Sequence, residues 1–375
     1  TVTGLSDEMM LPTDQVIAML VNLSNKGFVI YEQEEKKARI KDKLFDYIDA
    51  VNRKIDYDVI QFNSETYGSQ NAFLELDSFN LKLFGVPLVF LSDSQQVLVY
   101  PSSGELVLKQ GMDFTFGGRV HAGTFNFYAQ KVDFNYDQFK LDMPIIDSMS
   151  FAVPSFERDE QGFRKQVRVK NVISDLGGDL YIDDPNNKSG LKDFPEYPIF
   201  SSTKDAYVYY DHPSIFDGVY KRDKFYFYLY PFNIDSLDNF KTELLEFPGY
   251  LASGGIFPDV EDTLTVQRDY SLGFETTTPE YGFDAYGGKG TYYANVHLSN
   301  EGLRGQGYLD YITSRSWSDN YMFFPDSMNA LADKFIIEEQ IDPVEYPAVT
   351  STNVWQHWVP YEDYMSVKYT LIPFD

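Results

Sequence analysis

The residues that most often do chemistry are sparse or unpatterned in this chain. It has four histidines, His121, His212, His297 and His357. None belongs to HExxH or to a close metal-binding pair. His212, in Tyr209-Tyr210-Asp211-His212-Pro213, has the most distinctive setting, but a packed or turn histidine explains it as simply. No serine sits in GxSxG, so a hydrolase nucleophile elbow is unsupported. Gly287-Gly288-Lys289-Gly290-Thr291 lacks the GxxxxGK[ST] spacing of a phosphate loop. With 57 acidic residues, a carboxylate pair fit for glycoside hydrolysis arises by abundance alone. A lyase would want a base beside a cation-binding acidic cluster, and Lys188 beside Asp183 and Asp184 is the nearest match. The expectation is a non-enzymatic protein with no catalytic residue.

Two groups point to binding. Asp183, Asp184 and Asn186 offer hard oxygen ligands for Ca²⁺, the one cofactor the sequence suggests. Their loop lacks the EF-hand spacing, and an Asx-rich turn accounts for it equally. Tyr207, Tyr209, Tyr210, Tyr292 and Tyr293 are candidates for a glycan-stacking surface. The plainer alternative is that they pack in a β-rich core, in keeping with 31 Phe and 29 Tyr against 3 Trp.

Composition narrows the partners. A formal net charge of −26 repels nucleic acid. Cysteine is absent, which excludes disulfides and thiolate metal sites. No apolar run is long enough for a membrane-spanning helix. Thr1 is followed by polar and acidic residues rather than a signal peptide, so a mature product or an internal fragment is expected.

The elements that would position such residues are mostly strands. Only the start reads as helical. Thr13 caps a helix with Val16, Ile17, Leu20 and Leu23 on one face, and Gly27 stops it. A short hairpin follows, then a helix over 41–53. Residues 1–56 are thus a helix-hairpin-helix unit, expected to pack against a sheet; its resemblance to a winged helix conflicts with the acidity. Residues 57–153 alternate as short strands. Residues 154–205, with a charged stretch, Gly177-Gly178 and the Asp/Asn loop, read as a surface excursion. Strands resume over 206–375, with a repeat-like segment at 287–340.

That repeat pairs Gly118–Phe127 with Gly302–Tyr311 through G-x4-G-x-[FL]-x-[FY]. Glycine–strand–turn units that recur suggest layers that bury their apolar faces by stacking. The expected fold is mainly β: stacked β-solenoid-like or β-sandwich layers with a small N-terminal helical unit.

Several stretches resemble large uncharacterised exported proteins of Bacteroidota: Phe90-Leu91-Ser92-Asp93-Ser94-Gln95, Tyr207 to His212, Asp269 to Phe274, Gly287 to Gly290, and Leu298 to Gly305. The resemblance implies export to the periplasm, outer membrane or cell surface, and a parent longer than this chain. It carries no activity. It also implies O-glycosylation at Asp-[Ser/Thr]-apolar triplets, of which Ser148, Ser236, Thr263 and Ser327 are matches; Asp-Ser turns explain the triplets without sugar. The expected function is a structural or interaction segment of an envelope protein, with envelope proteins or surface glycans as partners. A scaffold variant that carries lipid would need an apolar groove. The alternatives are a carbohydrate-binding module and a polysaccharide-degrading enzyme.

Overall fold

The computed structural model describes residues 1–52, 60–342 and 345–369. The chain is mainly β, with antiparallel sheets stacked on one another and a small helical unit at the N-terminus.

In that unit, helices Val2–Met9 and Thr13–Asn25 precede the hairpin Val29–Glu32/Lys37–Ile40, and helix Asp42–Val51 follows it. Helix Val2–Met9 is an addition to the expected plan, and Thr13 is the first helical residue rather than the cap, which is Pro12. Gly27 ends the second helix at φ 74°, where glycine avoids the Cβ clash. Val2, Val16, Leu20 and Val29 are buried among the unit's own side chains. The unit therefore has its own small core, instead of the sheet-packed face expected.

From Ala72 onward successive strands pair as antiparallel neighbours. The ladder runs without a break from Ala72–Leu74 to Tyr364–Tyr369. Among the described residues no pairing joins those two ends, so the sheet is open. Alternation sorts each strand into a core face and a solvent face. In Phe225–Leu229, for example, Phe225, Phe227 and Leu229 are buried while Tyr226 and Tyr228 are not.

Two parts of the expected plan change. First, 154–205 is not only a surface excursion. Ile173–Tyr181 is a central strand, paired with Lys140–Pro154 on one side and with Ile199–Ser202 and Ala206–Tyr209 on the other. The Gly177-Gly178 pair sits inside it because a Cβ there would lie 2.6 Å from the Pro144 carbonyl oxygen and 2.3 Å from that of Ser201. Second, the two repeat copies are not equivalent. Gly118–Phe127 spans two strands and the turn at Gly123, whereas Gly302–Tyr311 is a single strand.

The core face is closed by segments from the same chain. Phe127 packs on Phe200, Phe125 on Phe240 and Phe151 on Phe247, with ring centroids 4.7, 5.3 and 6.0 Å apart. The connection after Ala206–Tyr209 sends Phe216 and Tyr220 inward. The Tyr220 hydroxyl donates to the Phe323 carbonyl at 2.7 Å and accepts from the Leu303 amide at 3.0 Å. Tyr286 donates to the carbonyls of Phe324 and Ser327, and Tyr210 to that of Leu272. The middle of the sheet is thus filled with aromatic side chains, where the lipid-carrying variant needs an apolar groove.

Replacing Tyr220 by Phe keeps the ring but leaves the Leu303 amide without its acceptor in a buried site. We expect a loss of about 1–3 kcal/mol, read as a lower urea midpoint at unchanged m-value.

Acid sensitivity has a specific source on strand Phe125–Asn135. Burial pushes the Asp133 carboxyl up, but hydrogen bonds from Lys131, Thr115 and Lys109 prevail and hold it at about 2. A carboxylate lowered by folding contributes stability above its unfolded value near 3.8 and loses it as pH falls through about 2. Asp133→Asn should therefore flatten the decline in stability over that interval, measured by urea unfolding at a series of pH values.

Candidate outer-face binding surface

The sequence-predicted sites separate once the strands are in place. Asp183 is buried. Its carboxylate accepts from Gln95 Nε2 at 3.1 Å, Asn187 Nδ2 at 3.0 Å and the Asp184 amide at 2.7 Å. Burial raises its carboxyl above the usual value despite these bonds. Asp184 accepts from the amide of Asn186, whose own side chain is exposed. The three residues form an Asx-stabilised loop pinned to Gln95, not a converging Ca²⁺ shell. Lys188 is also engaged, donating to the Pro185 carbonyl and lying over the Tyr136 ring, so it is no free base. Among the described residues, no group of three or more His, Asp or Glu is placed to hold a metal. The four histidines sit apart, with His121 against Asn126, His212 against Ser214, His297 near Glu275 and His357 against Asn329.

The tyrosines divide by face. Tyr210 and Tyr292 have no exposed surface, so neither belongs to a glycan platform. Tyr292 and Tyr293 are neighbours on one strand and must point to opposite faces. Tyr207, Tyr209 and Tyr293 do lie on the solvent side, half-buried. Tyr207 and Tyr209 stack at 5.9 Å, within a cluster completed by Tyr226, Tyr228, Tyr230 and Tyr250. The Arg222 guanidinium lies over the Tyr209 ring, 4.1 Å from its centroid. Its hydroxyl donates to Asp175, and burial followed by that carboxylate pushes it up to about 12. Rings so stacked present edges and hydroxyls rather than free faces.

The modification candidates differ in setting. Ser148 and Thr263 lie in mid-strand, each with a strand partner opposite. Ser236 and Ser327 lie in connections; Ser236 donates to the Pro195 carbonyl and Ser327 to Asp326. All four are half-buried.

A denser arrangement occupies the outer face of strands Leu272–Thr277, Gly290–Ser299, Gly302–Tyr311 and Ser314–Phe323. Cross-strand partners line up in rows. The first is Glu275, His297 and Arg304. His297 Nε2 is 4.0 Å from Glu275, and Arg304 donates to Asn320 Oδ1 at 3.0 Å. The second row is Thr277, Asn295 and Gln306, where Thr277 donates to Asn295 at 2.9 Å and Gln306 to Asp319 at 3.1 Å. The third is Tyr293, Tyr308, Trp317 and Lys334, with the two tyrosine rings 4.5 Å apart. Arg315 lies over Tyr308 and forms a two-point pair with Asp310.

A β-bulge shapes this face. Gly305 pairs with Tyr321 and Gly307 with Ser318, so Asp319 and Asn320 together oppose Gln306 alone. The extra residue turns both polar side chains outward, where both are exposed. They line a cleft of about 600 Å³ with Asn295, His297, Arg304 and Gln306. A second cleft of about 970 Å³ shares Glu275 and His297 with it and reaches the stacked pair Phe156–Tyr270. Apart from His297, one of the four histidines, none of these polar residues stands out in the sequence. The available signal was the alternation in Leu303-Arg304-Gly305-Gln306-Gly307-Tyr308 and its interruption at Asp319-Asn320.

Compared with known proteins, the chain matches no family model, no curated protein and no solved structure.

Because Asp183 faces inward with donors on both oxygens, two outcomes follow. Millimolar Ca²⁺ should leave the melting temperature unchanged. Asp183→Asn should lower stability by about 1–3 kcal/mol, since an amide nitrogen would then face donors. A Ca²⁺-dependent rise in melting temperature would restore the cation site.

Proposed function

We propose that the chain is a non-enzymatic structural and interaction segment of a larger, exported cell-envelope protein. The observation that carries this reading is the division of labour between its faces. The core face is filled by the chain's own aromatic side chains, tied to strand ends by the hydroxyls of Tyr210, Tyr220 and Tyr286. What remains for partners is the outer face, with its ordered polar and aromatic rows. Open, half-exposed rows suit recognition of another surface better than turnover of an enclosed substrate.

Export and the Bacteroidota relationship rest on the sequence resemblance, together with an acidic composition that repels nucleic acid. No helix among the described residues is long and apolar enough to cross a membrane, which says nothing of strands. The partners this reading calls for are envelope proteins or surface glycans. O-glycosylation at the four triplets belongs to the same proposal, and intact-mass measurement of native protein should show added hexose-type mass.

Fractionation and assay test the proposal together. The native parent should be recovered with the envelope, and the chain should release no reducing ends from xylan, β-glucan or pectin. Recovery in the cytosol would contradict export. Turnover abolished by Glu275→Gln would make the chain an enzyme.

A further inference from the structure

The outer-face cleft has a chemistry that selects its ligand. Its floor and walls carry two amides (Asn295, Gln306), the paired Asp319 and Asn320, a guanidinium (Arg304) and an imidazole (His297). Asn295 is engaged through Oδ1, Gln306 through Nε2, Asp319 through one oxygen and Asn320 through Oδ1. Each amide or carboxylate is thereby fixed in orientation, and its second polar atom remains for a ligand. Planar groups with two polar atoms, held by neighbours and spaced along a cleft, match pairs of adjacent hydroxyls.

Aromatic groups lie beyond the cleft's own lining. Tyr293, Tyr308 and Trp317 form the next cross-strand row, and the stacked Phe156 and Tyr270 line the adjoining cleft. Aromatic edges beside a polar floor accommodate a ligand with both hydroxyls and apolar C–H faces. Charge argues against an anion. Glu275 and Asp319 outnumber Arg304 in the cleft, and the chain carries −26 overall. The cleft crosses four strands, and three spacings of about 4.8 Å give roughly 14 Å of length, which suits a short linear chain.

We infer that this cleft binds a neutral oligosaccharide lying across the strands, held by Asn295, Arg304, Gln306 and the Asp319–Asn320 bulge. The inference rests on the outer face being the interaction surface, and it names the ligand class. The Tyr207–Tyr209 pair, whose rings stack on each other with Arg222 over Tyr209, is not the site.

Calorimetric titration of the full chain with cellohexaose, xylohexaose, mannohexaose and maltohexaose tests it, with hexagalacturonate as the anionic comparator. At least one neutral hexaose should bind. The Gln306→Ala/Asn320→Ala variant should lose at least about tenfold in affinity, the effect of two missing hydrogen bonds. Both residues are exposed, and an unchanged melting temperature for this variant shows that folding is intact. Tyr207→Ala/Tyr209→Ala should bind within about twofold of the parent chain. Absence of binding by all four neutral sugars, undiminished affinity in the cleft variant, or preference for hexagalacturonate would overturn the inference. None of these results bears on envelope recovery, so the proposed function fails or stands separately.

Discussion

The fold depends on buried tyrosine hydroxyls that meet backbone groups at strand ends. Each stacked sheet has one face that must be covered. Strands cover part of it, as where Phe127 meets Phe200 and Phe151 meets Phe247, and connections between strands turn inward to cover more. An irregular segment brought into a core exposes its own and its hosts' polar backbone to an apolar medium, at a cost of a few kcal/mol per unsatisfied group. Tyrosine resolves the conflict because its ring adds buried area while its hydroxyl serves as both donor and acceptor. Tyr220 does both at once, between Phe323 and Leu303. Glycine makes room for these insertions. Gly302 holds φ 93° with Phe216 pressed against it, and a Cβ at Gly123 would lie 2.2 Å from the Leu237 carbonyl oxygen.

Filling one face from within leaves the outer face as the surface for the proposed recognition. The outer face is freed from packing duties, so its side chains pair laterally across strands. Ion pairs such as Arg315–Asp310 and amide pairs such as Gln306–Asp319 contribute little to stability at this exposure. Their effect is to hold side chains in fixed orientations over several strands. The Asp319–Asn320 bulge interrupts that regularity at one place and concentrates four polar side chains there.

Much of the fold was legible in the sequence. The mainly β class, the helical start and the alternation of individual strands follow from period and turn residues. Ile173–Tyr181 was hidden because Gly177-Gly178 looks like a loop signal. It is in fact the mark of strands that approach too closely for a Cβ. The site was less legible. Adjacent Tyr292 and Tyr293 cannot share a surface, and strand parity alone would have separated them. The burial of Asp183 depends on Gln95, 88 residues away, a contact that no local pattern encodes. The apparent repeat equated a hairpin with a single strand, since glycines mark turns in one copy and close packing in the other.

Amide hydrogen exchange at Leu303 addresses the central claim most directly. Its N–H is held by a hydroxyl from a connection more than eighty residues earlier, a long-range contact that no local structure supplies. If inserted tyrosines close the core, Leu303 and its neighbours exchange only on global unfolding, alongside central-strand amides such as Phe127. Rapid exchange at Leu303 while Phe127 stays protected would show that the 216–220 segment opens independently, and the closed-core account would be wrong.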